Sequence, residues 1–353
     1  MTDVAQVRWD LSDLLDGVRG DEAAVAAKID ELLASADKLA DELAAARGTV
    51  FTMDAPALAE FMRCNAQMRE LLGRAGSYAN LHFSTNTLDA SRGALLQKVQ
   101  ERSTAINTKL IFFELEWAET PEAHVEMVLG DGDHLAFCEH YLRSARRYRE
   151  HLLTEPEEKV VVEKAVTGRN AWARLFSQET SSIMVELDGR EATLDEGLSR
   201  LGHPDAEVRR RAAEAVTVGL APGLRTRAYI FNTLLADKST DDRLRRYESW
   251  ITSRNLANEA SDESVQTLVD AVQKRYDIPQ RWYALKARLL GVEKIADYDR
   301  MASVASSEEV IGWDEGRTIV LDAYASFSEE AAAIVRQFFD NPWIDAPPSP
   351  GKR

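Results

Sequence analysis

From Asp21 to Arg47 the apolar residues Val25, Ile29, Leu32, Ala36, Leu39 and Leu43 advance by alternating steps of four and three, the period of a helix with one narrow buried seam. A half-buried strand would need steps of two, so this segment is committed to helix, and Gly48 ends it. The same spacing recurs downstream. Asp54 and Pro56 open a second helix, antiparallel to the first, carrying Leu58, Phe61, Met62, Met68, Leu71 and Leu72. Asp89 opens a third, read as continuous through Leu95, Leu96, Val99, Ile106, Leu110 and Phe113 to Trp117, with Thr120 and Pro121 restarting the chain as cap and first-turn residue. Thr154 and Glu157 have the spacing of a capping box, so another helix begins near 155.

The one strand signal is IMVELDGREATL at 183–194, where Asp188-Gly189 between short β-prone arms predicts a two-residue type I′ hairpin. Thr193 with Glu196, and then Asp205, return the chain to helix, and 223–237, 243–252, 261–276, 279–290, 306–311 and 315–339 all read as helical. The fold class is therefore mostly α: multi-helix lobes with one small β-hairpin near 183–194. Helix should stop at Asp340, because Pro342, Pro347, Pro348 and Pro350 crowd the last twelve residues. Trp343 and Ile344 then stand as an apolar pair close to the terminus, where such side chains usually dock on structure that follows or folds back. The expectation is a polypeptide cut at Arg353, with apolar surface exposed in its C-terminal third.

Charge and composition narrow the function classes. Forty-three basic against 59 acidic side chains give a net charge of −16, a field that repels phosphate backbones and anionic membranes, so no nucleic-acid partner is expected. No apolar run approaches the about 18 residues needed to cross a bilayer, so no membrane is expected either. MTDVAQVRWDLSDLLDG lacks the basic and apolar regions of a signal peptide, and two cysteines, Cys64 and Cys138, fit a reducing cytoplasm.

No local motif names a chemistry. A catalytic zinc commonly takes two histidines four apart on one helix, with a glutamate between them as base. His82, His124, His134, His140, His151 and His203 include no such pair, and HExxH does not occur. The nearest approximation is His134 with Cys138, but His140 falls on a different face and no acidic ligand is placed with them. Arg143, Arg146, Arg147 and Arg149 are interleaved with glutamates and read as a salt-bridged helix face. GDGDH at 130–134 reads as a turn and helix cap rather than a phosphate loop. Glu155, Glu157 and Glu158 suit a first helical turn through the helix dipole, and the seven tryptophans, from Trp9 to Trp343, read by default as core. The catalytic and metal-ligating sets assigned to this chain are accordingly empty.

Resemblance supplies what motifs do not. RRYREHLLTEPEEKVVVEKAVTGRNAWARLF at 146–176 resembles the N-terminal helical module of oligoendopeptidase F, among the thimet oligopeptidase-like zinc metallopeptidases. WDLSDL at 9–14, YESWITSRNLANEASDESV at 247–265, RWYALKARLLGVEKIADYDR at 281–300 and NPWIDAPPSPGKR at 341–353 agree with that family in order and spacing. The resemblance implies an incomplete two-lobed zinc peptidase. Residues 1–182 would be the N-terminal helical lobe, with the family module at about 115–184, 183–204 the hairpin and connector, and 205–353 the truncated start of the catalytic domain. It further implies that zinc, HExxH, a downstream glutamate ligand and oxyanion-stabilising His and Tyr lie in a missing C-terminal lobe. The complete cytoplasmic enzyme would then hydrolyse short unstructured peptides, while this chain alone would bind no zinc and be inactive. The rival readings are a helical scaffold that binds peptides or partners, suggested by the HEAT-like HPDAEVRRRAAEAV at 203–216, and an enzymatically dead paralogue.

Overall fold

The computed structural model describes residues 3–304 and 311–352. The helix read over 306–311 lies outside the described residues, apart from Ile311. Helix α1 (Glu22–Ala44) starts where the Asp21 carboxylate accepts from the Ala23 amide at 3.0 Å. Helix α2 (Ala55–Ser84) starts where Asp54 accepts from the Ala57 amide at 2.9 Å, with Pro56 in its first turn. The two are packed together, and Asp16 ties them by taking Lys28 of α1 at 2.9 Å and Arg74 of α2 at 2.5 Å. The seam of α1 is buried as its spacing requires, except that Leu39 is half-buried and Leu33 and Ala40 join it.

The third helix is not continuous. Helix α3 (Ala90–Thr108), capped by Asp89, closes in hydrogen bonds reaching back three residues from Lys109 and Leu110, and α4 (Ile111–Glu119) starts afresh. Its apolar spacing runs through the break because both helices bury against one core, so periodicity alone could not reveal it. Thr120 also differs from expectation: its hydroxyl donates to the Glu116 carbonyl at 2.8 Å and closes α4, and α5 (Glu122–Leu129) begins behind Pro121. Helix α6 (Glu139–Arg146) then places Leu142 so that its carbonyl receives the Trp117 indole N–H at 2.8 Å. Residues from Leu15 to Leu142 share one apolar core, in which Trp117 is 1 % exposed and Phe61 stacks on Phe113 at 4.6 Å.

Helix α7 (Glu155–Thr167) opens on the expected capping box, in which Glu157 accepts from the Thr154 amide at 2.9 Å and also from the Thr154 hydroxyl at 2.6 Å. Gly168 separates α7 from α8 (Arg169–Ser181). The hairpin is as read, with β1 (Met184–Leu187) antiparallel to β2 (Arg190–Thr193) and Asp188 and Gly189 at φ of 52° and 82°. Its inner face, Val185, Leu187 and Ala192, packs on Ala212 and Val216. After the short α9 (Leu194–Ser199) come α10 (Ala206–Leu220), which supplies those two residues, α11 (Leu224–Leu244), α12 (Thr252–Ala257), α13 (Asp262–Gln273), α14 (Asp277–Leu289), α15 (Trp313–Phe327) and α16 (Glu329–Asp340).

Two expected segments are corrected. The run 243–252 is mostly a turn between α11 and α12, entered through Arg246 at φ 62°. The run 315–339 is two helices, because Ser328 leaves the helical region at φ −160° and caps α16, its hydroxyl accepting from the Ala331 amide at 3.2 Å.

The C-terminal segment folds back across the first residues of the chain. Pro342 accepts from the Asp10 amide at 2.7 Å, the Ala346 amide donates to Val7 at 3.0 Å, and the Trp343 indole donates to Asp13 at 3.1 Å. At its end Gly351 accepts from the Thr87 amide at 2.7 Å and donates to Ser181 at 3.3 Å, so the α2–α3 turn, the end of α8 and the tail meet at one point. Gly351 sits at φ 76°, and a Cβ there would lie 2.9 Å from both Asn86 Oδ1 and Leu88 Cγ. Gly351→Ala is therefore expected to weaken the strap by about 1–2 kcal/mol, speeding hydrogen exchange of the Thr87 amide roughly tenfold. Unchanged Thr87 protection would count against the strap.

Candidate functional site

The burial pattern divides the molecule. Beyond residue 220 the buried aliphatic side chains among the described residues are Ile230, Ala287, Ala302, Leu321 and Ala332, with Pro347 near the end, whereas α11, α13, α14 and α16 expose Tyr229, Phe231, Leu268, Leu289, Ile334 and Phe338. Trp250 is 76 % and Phe327 86 % exposed, and α13 has no buried residue. The default reading of tryptophan as core thus holds for Trp117 but not for Trp250, Trp282 or Trp343, which are exposed. Large apolar side chains left exposed in this number are of the kind that other bodies cover.

A second feature joins the N-terminal helices to the α11–α12 turn. Glu158, in the first turn of α7, is 7 % exposed and accepts two hydrogen bonds from the Arg245 guanidinium at 2.7 and 2.8 Å. Burial alone would raise the Glu158 carboxyl; the Arg245 bonds and the Leu153 amide outweigh it and hold the group below its ordinary value. Arg245 is held in turn by Asp241 at 3.0 Å. Backbone groups complete the exchange: His151 Nδ1 meets the Arg245 carbonyl at 2.9 Å, and its ring stacks on Tyr247 at 4.1 Å. Arg246 donates to the Leu152 carbonyl at 3.0 Å. Sequence reasoning explained Glu158 by the helix dipole and missed this role. Spacing carried no signal for it, since positions 155, 157 and 158 fall within an arc of about 160° that one solvent face of a helix can hold.

The histidines are dispersed. His124 Nε2 meets the Met53 carbonyl at 3.0 Å, His203 Nδ1 accepts from the Asp205 amide at 3.0 Å, and His140 pairs with Glu259 at 2.8 Å. His82 is stacked on Tyr78, and burial, aided by Arg92, pushes its imidazole down. Cys138 is buried at the start of α6, where burial pushes its thiol up, and His140 reaches away to Glu259. Among the described residues no three His, Cys, Asp or Glu side chains come together as a metal site, so these residues do not fit a zinc centre and no step through a metal is assigned to them. The basic stretch is locally paired: Arg143 with Glu126 at 2.7 Å and Glu139 at 2.8 Å, Arg146 with Glu122 at 2.9 Å. Among the described residues no helix is long and apolar enough to cross a membrane.

The described residues form a mostly helical body with one small hairpin and many exposed apolar side chains beyond residue 220, and three comparisons say what it is similar to. The family profile described as Oligopeptidase F matches residues 116–184, which run from α4 to the start of β1. Oligopeptidase PepF of Bacillus subtilis is 22 % identical over 303 residues, covering 84 % of this chain and 45 % of the relative. Group B oligopeptidase PepB of Streptococcus agalactiae is 23 % identical over 307 residues, covering 84 % and 50 %. The crystal structure of oligoendopeptidase-F from Enterococcus faecium superposes with a TM-score of 0.71 at 18 % identity, over 89 % of this chain and 67 % of that one. A structure from Bacillus anthracis, described as a putative oligoendopeptidase F, gives 0.65 at 16 % identity, over 91 % and 57 %. The chain is oligoendopeptidase F-like, as the resemblance of its blocks implied. It spans about half the length of the curated relatives it matches.

Proposed function

We infer that this chain supplies the upstream lobe and the opening of the catalytic domain of a cytoplasmic zinc oligopeptidase that hydrolyses short unstructured peptides. The observation that carries the reading is the apolar face left by α11 to α16 in a chain whose oligopeptidase relatives are about twice as long. On this reading residues 1–182 are the upstream lobe, 183–204 the connector and 205–353 the start of the catalytic domain, and the C-terminal lobe covers the exposed helices. Zinc, its ligands and the catalytic base belong to that lobe. The part of these residues is then to wall the peptide channel and restrict entry by size.

The experiment uses the uninterrupted reading frame. The complete polypeptide is expected to contain HExxH and to cleave a quenched fluorescent octapeptide, with loss of activity on chelation, recovery on adding zinc, and no cleavage of a folded protein. The 353-residue chain is expected to leave the same peptide intact and to retain no stoichiometric zinc by elemental analysis. A frame without HExxH, or a complete polypeptide that cleaves no peptide, would overturn the reading and favour a dead paralogue. The scaffold reading has less support, since α10 carries one HEAT-like stretch and is engaged by the hairpin.

A further inference from the structure

The joint between α7 and the α11–α12 turn carries a half-open cavity of about 610 Å³. Its lining includes Tyr141, Tyr148, Tyr247 and His151, four ring-bearing residues around a space large enough for a side chain, with one face of Tyr247 taken by the His151 ring. Four carboxylates, from Glu114, Glu158, Asp241 and Glu259, line it against the single guanidinium of Arg245. That guanidinium has no capacity for an anion, because Glu158 takes two of its hydrogen bonds and Asp241 a third. Glu259 is satisfied by His140 and by the Ser144 hydroxyl at 2.9 Å. Glu114 has only a long ion pair, to Arg69 at 3.9 Å. Burial raises the Tyr141 phenol and the Glu114 carboxylate adds to that rise, so the loosely paired carboxylate lies near this aromatic wall. An anion would meet net negative charge here, and a cation would meet in Glu114 a carboxylate with no close partner.

We propose that this cavity binds an alkylammonium or guanidinium group, with Glu114 as counter-ion and the Tyr148 and Tyr247 rings as cation–π walls. Two sources share that chemistry: a free aliphatic amine, and the lysine or arginine side chain of a peptide. The second rests on the peptidase reading and would make the joint an exosite for basic peptides. The net charge of −16 draws either toward the protein.

Calorimetry on the 353-residue chain tests this with three probes: cadaverine, an acetylated and amidated Ala-Arg-Ala-Ala peptide, and the same peptide with neutral citrulline in place of arginine. The arginine peptide is expected to bind at least tenfold more tightly than the citrulline peptide. Glu114→Gln and Tyr148→Leu should each weaken it about three- to tenfold, whereas Glu60→Gln, an exposed carboxylate on α2, should leave it unchanged. Cadaverine binding with the same dependence on Glu114 assigns a free amine; binding confined to the peptide assigns a peptide side chain. Equal binding of the two peptides, no measurable binding of any probe, or affinity indifferent to Glu114→Gln would overturn the proposal. Glu114 is exposed, so that variant should fold even if Tyr148→Leu does not. Binding is read without cleavage, so a complete polypeptide that cuts no peptide would remove the peptidase reading and leave this site standing.

Discussion

Asp299→Ala is expected to cost about 3–5 kcal/mol of stability, because it strands a guanidinium that has almost no contact with water. Arg209 is 1 % exposed, and its Nε and Nη2 donate to Asp299 Oδ1 at 3.1 and 2.8 Å. Its Nη1 donates to the His203 and Pro204 carbonyls, both at 2.7 Å, so all three nitrogens of the group are bonded. The other oxygen of Asp299 accepts from the Ala296 amide at 2.9 Å. The pair thereby clamps the turn at 297–299 to α10, which also carries the hairpin. Asp299 lies in the block that ends in YDR, to which spacing assigned no role; the buried pair gives it a structural one. A urea midpoint that moves by less than the equivalent of about 1 kcal/mol would refute the prediction. Replacing both partners, as Arg209→Met with Asp299→Leu, should recover much of the loss, because no lone charge remains buried.

Arg245→Met should be nearly as severe, about 3 kcal/mol at neutral pH, and should reverse the local pH dependence. In the native chain Glu158 is held below its ordinary 4.5. A depressed carboxyl contributes stability that is present above its unfolded value and lost as pH falls through its folded value. Without the guanidinium, burial, the largest influence on Glu158, is opposed only by the Leu153 amide, so the carboxyl should rise. The variant should then gain from protonation where the native protein loses. Many other carboxylates titrate in the same range, so the informative quantity is the difference in urea midpoint between the two proteins, measured at pH 7 and pH 4. It should narrow markedly on acidification; a constant difference would show that Arg245 acts through packing alone.

Much of the helical framework was legible because caps and periodicity are local. Asp21, Asp54, Asp89 and Asp205 each stand where a carboxylate satisfies first-turn amides, and each caps a helix. The hairpin was equally legible, since Asp188-Gly189 supplies the two positive φ angles a type I′ turn needs. The errors share a cause. At Lys109 a helix ends inside an unbroken apolar period because α3 and α4 both pack on α7, and at Ser328 because α15 and α16 pack on each other; spacing carries no record of a change in axis. Thr120 fits the cap of α5 as well as the close of α4, and only the partner of its hydroxyl distinguishes them.

The sequence by itself determined the class of structure, the place of the hairpin, the end of helix at Asp340 and the absence of HExxH within these residues, all of which follow from residue type and short-range spacing. Tertiary structure alone decided which charges are buried. Glu158 is as acidic as Glu155 and Glu157, and Arg209 sits among Arg210 and Arg211, yet the buried ones meet partners 87 and 90 residues away. It also decided that the tail straps back over residues 7 to 13, and that the apolar faces of α11 to α16, indistinguishable by period from the core face of α1, stay uncovered. The reason is one of range: a cap or a turn is satisfied within four residues, whereas burial depends on which distant surface arrives to exclude water.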